Sequence, residues 1–315
     1  MLFCLVRFSK EVAVLVEQIP KGMVSTYGDI ARALGDVVAS RTVYDILTNQ
    51  LDGTTPIHRV VTAKGEAAYS RNLQILKEEG VPVRNKKVRD VQDHLFSDFK
   101  SSRILEKLRE EQEELASRVS LEDGFKEIES VGGVDVAYHN DKAFAACVVM
   151  DADGTSIIEE RRLSGEVFFP YVSTYLSYRE LPMVKKVYGN LKEKPTILMV
   201  DGNGILHPRR IGIASHAGIE LNVPTVGVAK RLLMGKLGKV PEKIGDFGSI
   251  LHNGSVLGMA LKSSKSDKYV YISPGHKVSM RTSLELSKKL CFHRVPEPIR
   301  RAHRMAAELK RERSN

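Results

Sequence analysis

Thr196-Ile197-Leu198-Met199-Val200-Asp201-Gly202-Asn203-Gly204 decides how the larger part of this chain is read. Thr196 to Val200 is uncharged and too short for a helix, which predicts a central strand buried on both faces. An aspartate then stands at its carboxyl end and leads into a glycine-rich turn. Pro224 to Val228 predicts a second strand of the same kind. Upstream, Val131 to Tyr138, Ala143 to Met150 and Ser156 to Glu160 predict consecutive strands of a meander. Helical patterns lie between and after these runs. Strands first, then strands alternating with helices, predict an α/β fold: a mixed sheet flanked by helices.

Toward the N-terminal side the texture changes near residue 84. Arg84-Asn85-Lys86-Lys87-Val88-Arg89-Asp90 is polar, basic and without periodicity, as a linker would be. The expected organisation is one domain over 1–84, a linker over 85–100 and a second domain over 101–315. Ile104, Leu105, Leu108, Leu115 and Val119 on a charged background predict a surface helix opening the second domain. Within the first, Thr26 three residues before Asp29 resembles a capping box, and Gly35 closes that helix. A second helix over about Ala39 to Gln50 follows, and the pair suggests a helix-turn-helix.

Bulk properties narrow the class. The 315 residues are 42% hydrophobic and 28% charged, with a net charge of +9 that favours a polyanionic partner without identifying one. No apolar run approaches the ~20 residues of a membrane helix. Met1 to Val6 is apolar but lacks a basic start and a small-residue cleavage site, so no signal peptide is expected. Cys4, Cys147 and Cys291 are scattered and odd in number. They fit neither a disulfide framework nor a zinc site, and a reducing cytoplasm is the simplest compartment.

Three acids stand where acids are costly. Asp135 interrupts the run Val131 to Tyr138, Asp201 ends a buried-strand candidate, and Glu180 lies on a helical stretch just before Pro182. A carboxylate at such a position is expensive to desolvate unless it is paired or binds a cation. Oxygen ligands converging at strand ends suit magnesium, with manganese as an alternative. Acids from distant parts of the chain on a mixed sheet are the arrangement of a ribonuclease H-like nuclease. From Lys288 to Arg313 the chain is basic; Arg300, Arg301, Arg304 and Arg311 recur at helical spacing, as a phosphate-binding stripe or a solvated face would.

Several longer words carry a resemblance. Gly133-Val134-Asp135-Val136-Ala137-Tyr138, Pro170-Tyr171-Val172-Ser173 running to Tyr178-Arg179-Glu180, and Asp201-Gly202-Asn203-Gly204-Ile205-Leu206-His207-Pro208-Arg209-Arg210 resemble endonuclease V. So do Gly227 to Lys230 and Ser273 to Ser279. The resemblance implies a metal-dependent endonuclease that nicks DNA 3′ to a deaminated purine such as hypoxanthine; the alternatives are an endoribonuclease acting on inosine-containing RNA and a non-catalytic lesion sensor, against which the three intact acids argue. It implies Asp135, Glu180 and Asp201 as metal ligands and His276 beside them. Lys230 and His207 would contact the substrate, and Tyr171 would tip a wedge that opens the strand. Segments around Thr174 to Leu176 and Gly202 to Ile205, including Leu176, Gly202 and Gly204, would receive the flipped base. The family's wedge word reads Pro-Tyr-Ile-Pro-Gly. Val172, Ser173 and Thr174 replace its last three members, which should loosen the wedge. His276 also stands at a turn where a helix cap would.

Ile19 to Ala31 and Pro56-Ile57-His58-Arg59-Val60-Val61 resemble the DNA-binding domain of alkylguanine-DNA alkyltransferases. That implies a small, mainly helical, winged-helix-like module over about residues 8 to 83. Arg41 would fill the gap left by a flipped guanine, Tyr27 would turn the phosphate and Asn49 would order the active-site turn. Tyr69 would line the pocket and Glu79 would complete a relay through His58. The family's acceptor motif is Pro-Cys-His-Arg, and Ile57 stands in place of its cysteine. Transfer needs a thiolate, so no alkyl transfer is expected.

Overall fold

The computed structural model describes residues 8–50 and 54–314; Met1 to Val6, with Cys4, lies outside the described residues. The chain packs as two compact units. One comprises the residues up to Glu110 together with Phe168–Ser173, and the other comprises Glu111–Val167 and the chain from Thr174 onward.

The first unit opens with α1 (Phe8–Glu17), β1 (Ser25–Thr26), α2 (Tyr27–Ala33) and α3 (Ser40–Asn49). It continues through β2 (Val60–Val61), α4 (Ser70–Glu78), β3 (Val83–Arg84), β4 (Lys87–Val88) and the start of α5 (Ile104–Ser117). The Thr26 side chain accepts from the Asp29 amide, as the sequence predicts for a capped start of α2. Gly35 ends that turn at φ +107, and a Cβ there would lie 2.5 Å from the Glu106 backbone nitrogen. Left-handed backbone and close approach together demand glycine. On α3, Val43, Ile46 and Leu47 are buried as expected, and Thr42 joins them.

Residues 85–100, expected as a linker, contain regular structure. β3 and β4 form a hairpin whose tip, Asn85 and Lys86, has φ of 53° and 57°. Two left-handed residues in a two-residue loop make a turn whose twist matches its strands. Farther on, the Val24 amide donates to the His94 carbonyl and Phe96 donates to the Val24 carbonyl. The polarity read as linker character is that of an exposed hairpin.

In the second unit nine strands form one mixed sheet. They are β5 (Ser130–His139), β6 (Lys142–Asp151), β7 (Ile157–Glu166), β8 (Ile197–Asp201) and β9 (Thr225–Ala229), then β10 (Lys236–Leu237), β11 (Phe247–His252), β12 (Ser255–Leu261) and β13 (Val270–His276). The order is β10-β11-β12-β13-β9-β8-β5-β6-β7. The meander β5–β6–β7 is antiparallel, β8 lies parallel between β5 and β9, and β13 returns antiparallel to β9. Strands β10 to β13 go beyond the sequence reading. Four helices complete the unit: α6 (Leu176–Gly189), α7 (Ile213–Leu221), α8 (Met280–Leu290) and α9 (Glu297–Ser314).

Alternation along the strands sorts the core into two layers. Val134, Val136, Leu198 and Val200 pack with Leu181, Val184 and Ala214 of α6 and α7. Val131, Ile197, Met199, Val226 and Val228 pack with Leu284, Leu290 and Ile299 of α8 and α9. This is the mixed sheet flanked by helices that the ribonuclease H-like reading predicts. Among the described residues no helix is long and apolar enough to cross a membrane.

Candidate functional site

Strand parity sets the geometry. Val134 and Val200 are partners in the parallel pair β5–β8, so Asp135 and Asp201 occupy the next positions on adjacent strands. Both share the parity of Val131, Ile197 and Met199, hence the sheet face covered by α8 and α9. Asp201 in turn pairs with Val228 of β9, and Lys230 lies two residues farther on. Its ammonium bonds the Asp201 carboxylate.

Helix α9 delivers a group that the sequence reading missed. A Cβ on Gly133 would lie 2.1 Å from the Pro298 carbonyl carbon, so glycine lets the start of α9 rest directly on β5. Farther along α9, His303 Nδ1 donates to Asp135 at 2.6 Å. Asp135, Asp201 and His303 each present one ligand atom, all within 4.8 Å of one another. Two carboxylates and an imidazole at that spacing are a donor set that fits a divalent cation.

The electrostatics agree with that fit. Burial and the carboxylates of Asp135 and Asp201 push Glu180 up to about 8, against the pull of Arg179. Burial and Asp135 likewise raise Asp201, opposed by Lys230. Like charges so enclosed call for a counter-cation, and Lys230 supplies part of it. The hydrogen bond to Asp135 raises His303, against its own partial burial. The guanidinium of Arg179 lies 4.1 Å over the Tyr138 ring, beside Glu180.

His276, expected beside the metal, is not among the three residues that converge here. It is buried at the end of β13, where its Nδ1 accepts from the Ser120 amide at 3.2 Å. Burial, Lys277 and Arg118 lower its pKa and keep it a neutral acceptor. His207, expected at the substrate, is 3% exposed and both its nitrogens are engaged. Nε2 donates to the Thr174 carbonyl at 3.0 Å, and Nδ1 accepts from the Arg209 amide at 3.3 Å. Burial and Arg209 bring its pKa down to about 4, which keeps the imidazole neutral.

Thr174 explains where those donors go. Its φ is +66°, a left-handed conformation that is costly for a β-branched residue. The family word has glycine here. The strained turn is pinned because Arg209 Nη2 donates to the Thr174 carbonyl and hydroxyl at 2.7 and 2.8 Å. Gln112 Nε2 donates to the same carbonyl at 3.1 Å. The turn thus survives loss of the glycine, and Leu176 follows at the start of α6. Gly202 has φ +151, and a Cβ on Gly204 would sit 2.0 Å from the Pro274 carbonyl oxygen. That loop is therefore closely packed against the end of β13.

In the first unit Tyr171 is 62% exposed. Arg41 is exposed on α3, paired with Asp45 at 3.0 Å and lying over the Tyr44 ring. Tyr27, by contrast, is buried edge-on against Tyr44, and burial pushes its hydroxyl up to about 12. Asn49 Nδ2 donates to the Asp45 carbonyl and the Thr48 hydroxyl; the turn it was expected to order includes residues 51–53, outside the described residues. Tyr69 donates to the Thr48 carbonyl at 3.0 Å. Next to Ile57, His58 Nε2 lies 3.1 Å from Glu79, which Arg59 also binds at 2.7 Å. The basic stripe of α9 is partly spent within the helix, since Arg300 and Arg301 both bind the buried Glu297.

Comparison with known proteins accounts for both units. Residues 113–304 match the endonuclease V family, and residues 7–81 match the 6-O-methylguanine DNA methyltransferase, DNA binding domain. Endonuclease V of Dictyoglomus turgidum is 40% identical over 193 residues, 61% of this chain and 85% of that protein. A bifunctional methyltransferase/endonuclease of Picrophilus torridus is 32% identical over 306 residues, 94% of this chain and 95% of that one. The crystal structure of Ciona intestinalis endonuclease V, in complex with a 24mer DNA containing an inosine followed by a ribo-adenosine, is 27% identical with a TM-score of 0.57. It covers 66% of this chain and 98% of that one. The chain belongs to the endonuclease V family of metal-dependent nucleases, joined on its N-terminal side to a DNA-binding domain of the methylguanine methyltransferase type.

Proposed function

We propose that this protein nicks DNA on the 3′ side of a deaminated purine, hypoxanthine above all, using magnesium held by Asp135, Glu180 and Asp201. The observation that carries the reading is the convergence of Asp135, Asp201 and His303 within a family whose Ciona intestinalis member is seen on inosine-containing DNA. When bound, the cation supplies positive charge to the phosphodiester transition state. The chain's own groups do the rest. Asp135 fixes the ring of His303, leaving Nε2 free to take or give a proton at the scissile bond. Lys230 screens Asp201 and offers its ammonium to the scissile phosphate. Tyr171 opens the strand. Scattered, unpaired Cys147 and Cys291 suit a reducing compartment, the cytoplasm.

The first unit adds affinity for DNA through exposed Arg41, with Tyr27 packed behind it against Tyr44, and linking two modest binders raises the effective concentration of the second. It transfers no alkyl group, because Ile57 offers no nucleophile to the intact His58–Glu79 pair.

The test is cleavage of an end-labelled duplex carrying one inosine, with magnesium, by wild type and Asp201→Asn. Cutting by wild type alone, at one bond 3′ to the inosine, supports the reading; no cutting of inosine DNA or RNA overturns it. A second reading, inosine-containing RNA as the natural substrate, is favoured by the ribo-adenosine in the Ciona intestinalis complex. Matched DNA and RNA oligonucleotides separate the two.

A further inference from the structure

The stretch Phe168–Ser173 packs with the first unit, and the contacts that hold it there are specific. Thr42 on α3 donates its hydroxyl to the Tyr171 carbonyl at 2.8 Å. A threonine inside a helix ordinarily bonds back to a carbonyl one turn earlier, as Thr48 of the same helix does to Tyr44 at 2.9 Å. Thr42 is turned outward instead, and is 8% exposed. Two residues earlier, Phe169 meets Phe8 of α1 edge-on, with ring centroids 5.3 Å apart. One residue later, Val172 is fully buried. Anchors at residues 169, 171 and 172 fix the backbone, while the Tyr171 ring stays 62% exposed.

This arrangement suits a wedge. A side chain that unstacks a duplex must push against several kilocalories of stacking, and a mobile loop yields instead of pushing. The endonuclease V word is stiffened by a second proline, and Ser173 stands in that place here.

We propose that α3 and α1 of the methyltransferase-type unit are the backing of the strand-opening segment, with Thr42 as the positioning residue that replaces the lost proline. The unit is then part of the device that opens DNA as well as a tether. This rests on the strand-opening reading of Tyr171.

The test compares full-length wild type, Thr42→Val, Thr42→Ser, Phe8→Leu and Tyr171→Ala on one inosine in duplex and in single-stranded DNA. A single strand needs no opening. Thr42→Val keeps shape but loses the donor, and should raise KM for the duplex about fivefold, with kcat and single-strand cleavage within about twofold of wild type. Thr42→Ser should restore wild-type behaviour, and Phe8→Leu should repeat the duplex-selective loss. Melting temperatures check that each variant is folded. Equal losses on both substrates, or none, overturn the inference. Tyr171→Ala separates the two layers: if it fails to discriminate duplex from single strand, the strand-opening reading itself falls. If Tyr171→Ala discriminates and Thr42→Val does not, only the backing role is lost.

Discussion

His303 Nδ1 donates to Asp135 across 168 positions of sequence, and this bond ties α9 to the acid on β5. Under the proposed function, a histidine so held would act at the scissile bond through its other nitrogen. His303→Ala should lower single-turnover cleavage about a hundredfold or more, the usual yield of a positioned proton-transfer group. His276→Asn, which keeps an acceptor for the Ser120 amide, should stay within about threefold of wild type. The reverse ranking would return the role to His276.

Gly133→Ala tests how His303 is delivered. The new Cβ would meet the backbone of Pro298 at 2.1 Å, so β5 and α9 must separate. Overpacking of this kind typically costs about 1–3 kcal/mol. Cleavage should fall further than the lost stability explains, because His303 moves with the helix. Denaturant unfolding and cleavage of one preparation measure both; a stable, fully active variant counts against the account.

Arg209→Lys should fail despite keeping its charge. Arg209 bonds Thr174 twice, reaches Gln112 Oε1 at 2.7 Å and lies 4.5 Å over the Tyr175 ring. An ammonium cannot reproduce that planar fork. The left-handed turn at Thr174 then loses much of its restraint, and a loss of about 2 kcal/mol is expected by urea unfolding. Thr174→Gly in the Arg209→Lys background should recover part of it, since glycine adopts that backbone without strain.

Acid should weaken the first unit through Glu79. Burial pushes its carboxyl up, but hydrogen bonds from Arg59, His58 and the Gly22 amide outweigh this and hold it down at about 2. A pKa depressed in the folded state stabilises fully above the ordinary glutamate value, 4.5. That stability is lost as pH falls from there toward 2. Glu79→Gln should be less stable at neutral pH and lack this part of the acid dependence. Parallel urea midpoints for both proteins through that window would expose the idea as wrong.

Much of this was legible in sequence, for a physical reason. Asp135 and Asp201 stand out because an acid on a buried strand is costly, and their shared parity follows from two-residue alternation. The strand runs 131–138 and 196–200 and the capped start at Thr26 announce themselves by the same local rules. His303 does not. It sits in a helix whose periodicity reads as a basic solvent face, and only the long-range packing of α9 on Gly133 turns it toward the acid. His207, followed by a proline and two arginines, looks exposed and is 3% exposed, because its partners come from a turn more than thirty residues upstream. The hairpin at Asn85 and Lys86 was not legible either, because a two-residue turn hides few side chains and leaves only polarity to read.

The dependence on α9 also bears on how the two ends of the site are joined. Asp135 and His303 lie 168 positions apart, so a chain cut short before residue 303 keeps the carboxylates and loses the histidine. Under the proton-transfer reading of His303, such a chain should still hold a cation at its acids yet cut poorly.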